Sequence, residues 1–354
     1  MKKIISGRTF FIGVLAASLL LYLTVFVPPR LFWPAALLSY GIPVAMVANM
    51  VLLLITALLR SRWFWCPLMA LLVGIYFIRI TWVKHDEKTE TTSKSITVLS
   101  YNVKLFREYW TYHKFSAETI QWVEQDSSDI KCIQEYSTND RWKPLDVTGR
   151  IEASGYYSHT RSYDVFRGIH NPGLAIFSKH PIVNTGEILF DEESVNNIIY
   201  ADIALGTDTL RCYNLHLYSM QLNLGGFKSL RGIRYNIKSL ASKLKSGAKN
   251  RADQIKSLLD HASQSPYPVL ICGDFNELPY GNNYYKMRRA YKNAFEKAGS
   301  GFGFTIHSKL FFLRIDHMFY DAHFTPLWYR VYRDVPYSDH FPTHAQFNFE
   351  TTLK

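Results

Sequence analysis

The chain has 354 residues with 40 Lys and Arg against 29 Asp and Glu, too long for one small domain and suggestive of about two units. Residues 1–83 hold seven basic and no acidic residues, which leaves 33 basic and 29 acidic residues after position 83. The net charge of +11 therefore comes largely from the N-terminal segment, and it makes only a weak case for nucleic acid as partner.

The first 83 residues read as membrane. Phe10–Val27, Leu31–Leu59 and Trp63–Ile78 are apolar and nearly free of charge. A span needs roughly 20 apolar residues, so three transmembrane helices are expected. The second run is long and carries Gly41 and Pro43, where a kink or tilt is expected. A signal peptide competes for the first run. That run is long for one and ends in Val-Pro-Pro without a small-x-small cleavage site. Lys2, Lys3, Arg8, Arg60 and Arg62 fall on one side of the spans and only Arg30 on the other. The positive-inside rule then puts the N-terminus in the cytoplasm and residues 84–354 outside it.

Residues 84–95, which include the polar run His85–Lys94, read as a linker, and 96–354 as one domain. Strands are expected at Ile96–Tyr101, Ile130–Gln134, Gly173–Phe177, Ile198–Ala204, Leu210–Leu217, Val269–Cys272, Ile315–Tyr320 and Ala345–Phe349. Helices are expected at Ser116–Gln125 and Ala248–Ser263. Many strands with few helices between them predict a mixed α/β sandwich rather than a regular βαβ array. Cys132, Cys212 and Cys272 lie in apolar strand-like runs and Cys66 in the third span; none has metal-ligand spacing, so buried free thiols are expected. Gln221–Ala252 holds eight basic residues and no acidic ones, with Leu230, Ile233, Ile237, Leu240 and Leu244 at helical spacing. It reads as a basic amphipathic helix, whose partner is anionic lipid, a nucleic-acid backbone, or simply the domain it packs on.

Polar residues recur at the ends of the strands. The run VLICGDFN ends in Asp274 and Asn276. Asn102 closes LSYN, Glu135 closes CIQE, His216 lies in NLH, Asp316 opens the strand in RIDHMFY, and Ser338-Asp339-His340 comes near the C-terminus. Each has a local explanation as a turn or core residue. Six such groups in this order are a different matter. They resemble the endonuclease/exonuclease/phosphatase superfamily, a group of metal-dependent phosphoester hydrolases. The resemblance covers roughly 96–350 and rests on GDFN, SDH, NLH and IQE, with GLAIFSKHPI in support and no departure at a motif position.

The resemblance implies a four-layer α/β sandwich of the DNase I-like type, here preceded by a bundle of three transmembrane helices. It implies Glu135 as the main ligand for Mg²⁺ or Mn²⁺, with Asn102 and Asp339 completing or supporting the shell. His340 is then the candidate general base, oriented by Asp316. Asp274 and Asn276 would position the attacking water and a phosphate oxygen, and His216 would donate to the phosphate or the leaving group. The roles of Asp274 and His340 are interchangeable at this stage.

Three functions follow. The first is a membrane-anchored phosphodiester hydrolase working outside the cytoplasm on a phospholipid head group or lipid-linked glycan. The second is an extracytoplasmic nuclease on DNA or RNA, and the third a non-catalytic scaffold of the same fold. The 5-phosphatase branch of the family is disfavoured, because LRIDHMFY stands where its members carry a tryptophan-containing stretch. Expected partners are the phosphodiester substrate and membrane lipids.

Overall fold

A computed structural model describes residues 7–91, 94–108, 114–162, 172–190, 196–219, 230–307 and 313–350, with backbone alone for 230–240. The chain groups into two compact units. One comprises Met1–Trp82, Met220–Ala252 and Leu278–Lys286, the other Val83–Ser219, Asp253–Glu277 and Met287–Lys354.

The first unit contains α1 (Gly7–Leu23), α2 (Pro34–Leu38), α3 (Ile42–Leu58), α4 (Trp65–Val73) and α5 (Ile75–Thr81). Two helical stretches, Gly7–Phe26 and Pro34–Leu58, are long and apolar enough to cross a membrane. The third expected span is broken: Arg62–Val73 and Ile75–Thr81 meet at a 58° bend, so it counts as one crossing only if the two are taken together. The bend falls at Gly74, where a Cβ would lie 2.7 Å from the Tyr22 hydroxyl, so a bulkier residue would push the helices apart. Near Gly41, where a kink is expected, the helical stretch only tightens into a short 3-10 turn, Ser39–Gly41, with helical backbone at Leu38 and Ile42 on either side. Pro43 sits in the first turn of α3, where a missing N–H leaves no hydrogen bond unmade. Inside this unit Asn49 Nδ2 donates to Ser18 Oγ across 2.8 Å, a polar contact between α3 and α1. Within the same unit, Asn282 Nδ2 donates to Val25 O at 2.8 Å, and the Tyr280 hydroxyl lies 2.9 Å from Thr81 Oγ1.

The second unit begins at once. Only Trp82 separates the end of α5 from β1 (Val83–Lys84), which pairs with β11 (Ser300–Gly301). The segment expected as a linker does not run free. His85 N donates to Gly299 O, Lys88 N to Leu327 O, Asn348 Nδ2 to Glu90 O and Phe349 N to Lys94 O. Of its charged side chains, Glu87 pairs with Arg330 and Lys94 with Asp208.

The remaining strands are β2 (Ser95–Asn102), β3 (Ile130–Tyr136), β4 (Tyr157–Ser162), β5 (Gly173–Ser178), β6 (Ile182–Ile188), β7 (Ile198–Leu205), β8 (Asp208–His216), β9 (Val269–Asp274), β10 (Lys292–Asn293), β12 (Asp316–Tyr320), β13 (Phe324–Val331) and β14 (Thr343–Phe349). They form two sheets of order β13-β14-β2-β3-β5-β4 and β10-β12-β9-β8-β7-β6. Ile96, Val98, Cys132 and Ile176 of the first sheet pack on Ile199, Cys212, Leu270 and Met318 of the second. On the outer face of the first sheet, Leu99, Ile133 and Phe177 meet Ile120 and Val123 of α6 (Ala117–Gln125) and Ile151 of α7 (Val147–Ala153). Tyr213 of the second sheet bonds His261 near the end of α8 (Leu230–Ala262). Helix, sheet, sheet, helix is the expected four-layer order.

Every strand anticipated from hydrophobic pattern is present. Six were not anticipated: the two-residue β1, β10 and β11, and the longer β4, β6 and β13, which are sheet edges with a more exposed face. Edge strands need fewer apolar residues, and so leave a weaker pattern. The four cysteines are free, and Cys132, Cys212 and Cys272 are buried. Helix α8 is longer than expected, beginning at Leu230; residues 221–229 and the side chains of 230–240 lie outside the described residues, so that part of the basic stretch has no structural account.

Gly273, next to Asp274, has φ +142, and a Cβ there would lie 2.1 Å from Leu215 O of the neighbouring strand. Gly273→Ala should cost about 3 kcal/mol or more, from an unfavourable backbone and a clash with main chain. Chemical denaturation of the full chain in detergent checks this.

Candidate active site

Side chains in a strand point alternately to its two faces. In β2 the residues facing the other sheet are Ile96 and Val98, and two steps at a time the series reaches Asn102. Leu210 and Cys212 lead in the same way to His216, and Leu270 and Cys272 to Asp274. In β12 the series starts at Asp316 and continues through Met318 and Tyr320. The inward-facing rows of four strands thus end in polar residues at one rim of the sandwich. Register then aligns three of them: Asp274 pairs with His216 on one side and Asp316 on the other.

Glu135 arrives by a different route. Ile133 faces the helix layer, so strict alternation would send Glu135 there too. Instead Glu135 has φ +47, and the β3–β5 register shifts between Gln134 and Tyr136. This bulge turns its carboxylate to the rim, a common use of β-bulges.

Asn102 ties the two sheets together there. Its Nδ2 donates to Glu135 Oε1 and to Asp274 Oδ2, each at 3.1 Å, and its Oδ1 accepts from Lys104 N. Ser338 Oγ in turn donates to Asn102 O at 2.8 Å, fixing the strand end from the C-terminal loop. That loop is held by two main-chain bonds, His307 N to Asp339 O and Phe341 N to Thr305 O, both 2.7 Å. It delivers His340, whose Nδ1 lies 2.9 Å from Asp316 Oδ2 and whose Nε2 lies 3.7 Å from Asp274 Oδ2. His216 Nε2 lies 3.7 Å from the same Asp274 oxygen and 3.8 Å from Glu135 Oε1. Asp339 is at the margin, with its Oδ2 3.4 Å from Lys104 Nζ.

Asn276 is not part of the strand. Strand β9 ends at Asp274, and Asn276 sits in the following turn with φ +50. Its backbone N–H donates to Asp274 Oδ1 at 2.8 Å and its side chain to Leu217 O at 2.9 Å. The turn reading of this motif therefore accounts for one oxygen of Asp274 and for one amide proton of Asn276. The other Asp274 oxygen is the one that meets Asn102, His216 and His340. All eight residues singled out in the sequence lie at this rim or in the turn and loop beside it. Two that matter to its geometry, Lys104 and Ser338, were not assigned a role. Ser338 belongs to the Ser-Asp-His run, whereas nothing in the spacing marks Lys104.

Burial and charge separate the roles. Burial works against a charged imidazole at His340, but Asp316 and Asp274 outweigh it and hold its pKa well above the ordinary value. Burial pushes the Asp274 carboxyl up to about 6, with Asp316 adding to the rise and His340 opposing it. Glu135 is raised by burial and by the charge of Asp339, against the hydrogen bond from Asn102. His216 is lowered by burial, so its imidazole is neutral near pH 7. At neutral pH His340 is a cation beside Asp274, and Asp274 has the proton affinity of a base.

The donors suit a hard divalent cation, being mainly carboxylate oxygens. One atom from each of Asp274, Asp316 and His340 lies within 4.8 Å of the others. Asp316 and His340 spend facing atoms on each other, while Glu135 and Asp274 share the Asn102 amide and the neighbourhood of His216 Nε2.

The sequence profile of the Endonuclease/Exonuclease/phosphatase family matches residues 99–340. A second profile, of a domain of unknown function, matches residues 2–81. No curated protein matches the chain. Among solved structures, an endonuclease/exonuclease/phosphatase from Beutenbergia cavernae superposes with TM-score 0.54 at 14% identity, over 73% of this chain and 72% of that one. The human nocturnin catalytic domain superposes with TM-score 0.52 at 17% identity, over 73% and 96%. A family protein from Leptotrichia buccalis gives 0.50 at 16%, over 72% and 100%. At these identities the likeness is one of fold.

Because the folded pKa of His340 lies above its unfolded value, its pairing stabilises fully below about pH 6.5 and is lost as pH rises through the folded value. Asp316→Asn should therefore destabilise by about 3–5 kcal/mol at pH 6, as expected when one partner of a buried pair is removed. The gap to wild type should narrow with increasing pH. Denaturation curves of both proteins across the pH range check this.

Proposed function

The chain belongs to the endonuclease/exonuclease/phosphatase family, and from that premise we propose that it is a membrane-anchored, divalent-metal-dependent phosphodiester hydrolase. It acts outside the cytoplasm on a phospholipid or lipid-linked phosphodiester. The observation that carries the reading is the register of His216, Asp274 and Asp316 across three strands, with His340 closing on two of them.

A phosphodiester is anionic, so its hydrolysis needs charge neutralisation at phosphorus and a base for the attacking water. Glu135 would hold Mg²⁺ or Mn²⁺, with Asn102 fixing its carboxylate through a hydrogen bond and Asp339 at the margin, paired with Lys104. When bound, the ion neutralises phosphate charge and polarises a phosphoryl oxygen. Asp274 Oδ2 accepts the proton of water. This assignment replaces His340 as base, because the two carboxylates around His340 keep it charged. His340, held by Asp316, offers its Nε2 proton to the developing negative charge. Neutral His216 donates a hydrogen bond to the phosphate or the leaving oxygen, and Asn276 keeps the Asp274 carboxylate aimed.

The lipid side of the reading rests on the apolar helices and on the junction. Two or three helices could cross a membrane, and one residue joins them to β1. The exposed Lys243 and Lys245 belong to the same compact unit as those helices, as anionic lipid would favour. The charge asymmetry of the first 83 residues supports an orientation with the N-terminus inside and the domain outside.

Full-length protein in detergent or vesicles, with Mg²⁺ or Mn²⁺, should cleave a phospholipid from a panel that also holds plasmid DNA and RNA. EDTA should abolish cleavage, and Asp274→Asn or His340→Ala should lower it about 100-fold or more. Cleavage of DNA or RNA alone would replace the lipid reading with that of an anchored nuclease. A periplasm-active reporter fused after Lys354 should give signal; activity only in the cytoplasm would reverse the orientation.

A further inference from the structure

Directly after Asn102 the chain makes a turn of the wrong hand. Lys104, Leu105 and Phe106 have φ of +48, +57 and +54, three consecutive non-glycine residues in the left-handed region. Such residues are routine singly at glycine and rare in runs, so the surroundings must impose the turn. Several contacts do. Val103 N donates to Gln134 O at 3.0 Å and Phe106 N to Val103 O at 2.8 Å, and Asn102 Oδ1 receives Lys104 N. Phe106 is buried against Tyr136, ring centroids 5.6 Å apart. The turn carries the Lys104 side chain back to the rim, where only 11% of it is exposed and its Nζ lies 3.4 Å from Asp339 Oδ2.

Among the described residues, four carboxylates lie at the rim. Asp316 is hydrogen-bonded by His340, and Asp339 faces Lys104. Glu135 and Asp274 are joined by the two hydrogens of one Asn102 amide, and the nearest charged group to Asp274, His340 Nε2, stands off at 3.7 Å. Two carboxylates match the charge of one divalent ion. We propose that Lys104 is a positioning residue that stands where a second divalent ion would neutralise Asp339, so that the site takes a single ion beside Glu135 and Asn102. The ammonium repels a second cation and keeps Asp339 out of the first ion's shell. This rests on the metal-dependent reading above.

Counting Mn²⁺ bound to full-length protein in detergent, by equilibrium dialysis with spectroscopic detection of free ion, tests it without reference to turnover. Wild type should bind one Mn²⁺ per chain. Lys104→Gln should admit a second, or bind the first about tenfold more tightly, because a neighbouring positive charge is gone. Lys104→Arg should keep one at wild-type affinity. A lysine that only props up the turn would alter melting but neither number nor affinity. Two ions in wild type overturn the proposal, as does a folded Lys104→Gln protein with wild-type number and affinity. If Lys104→Gln does not fold, Asp339→Asn decides: one ion retained supports the proposal, and loss of all binding overturns it. No Mn²⁺ bound to wild type would instead overturn the metal-dependent reading itself.

Discussion

The register of β9 between β8 and β12 is the constraint on which the site depends. A slip of one residue in a strand moves every side chain to the other face. Here it would send Asp274 toward the helix layer and bury Gly273 in its place. The register is secured by the same rows that end in the site, since Leu270 and Cys272 must face the other sheet for the core to close. Core and chemistry are therefore specified by one alternation. The parallel pairing of β2 with β3 and of β8 with β9 brings the carboxyl ends of strands from both sheets to a single rim. Asn102 then bridges the sheets with a hydrogen bond to each.

What the rim gathers is electrostatically costly. Carboxylates withdrawn from water and close to one another favour protonation, and the raised Asp274 and Glu135 report that cost. The molecule offsets it locally with His340 against Asp316 and Lys104 against Asp339. A cation lies closest to Asp316 and to Asp339, which leaves Glu135 and Asp274 less fully neutralised. That imbalance makes the site receptive to a cation, and it would be absent from a merely structural ion-pair network.

Much of this was legible in the chain itself. Strand ends, their polar terminal residues and their order gave the family and the rim, because alternation in buried strands is a strong signal. Three features were not legible, each for a physical reason. Glu135 reaches the site through a bulge, and alternation read forward from Ile133 would have misplaced it. Lys104 gets there by a left-handed turn that no local preference of Lys, Leu or Phe announces. The segment 84–95 has the composition of a linker, yet its backbone is bonded along the domain. Polarity records contact with water or with other polar groups, and composition does not separate the two.

Among the described residues, six non-glycine positions have left-handed backbone, and five of them, Lys104, Leu105, Phe106, Glu135 and Asn276, belong to or adjoin the rim. At about 1–2 kcal/mol each, such conformations use up a sizeable share of the margin by which a domain stays folded. The inter-sheet core must be more stable than the bare fold requires, and that surplus is consumed at the rim. Evolutionary drift is then unevenly permitted. A modest core substitution that a relaxed relative of the same architecture would absorb falls here on a molecule with little headroom. A sequence that lost its function would, conversely, be free to relax these five positions and gain robustness as it did so.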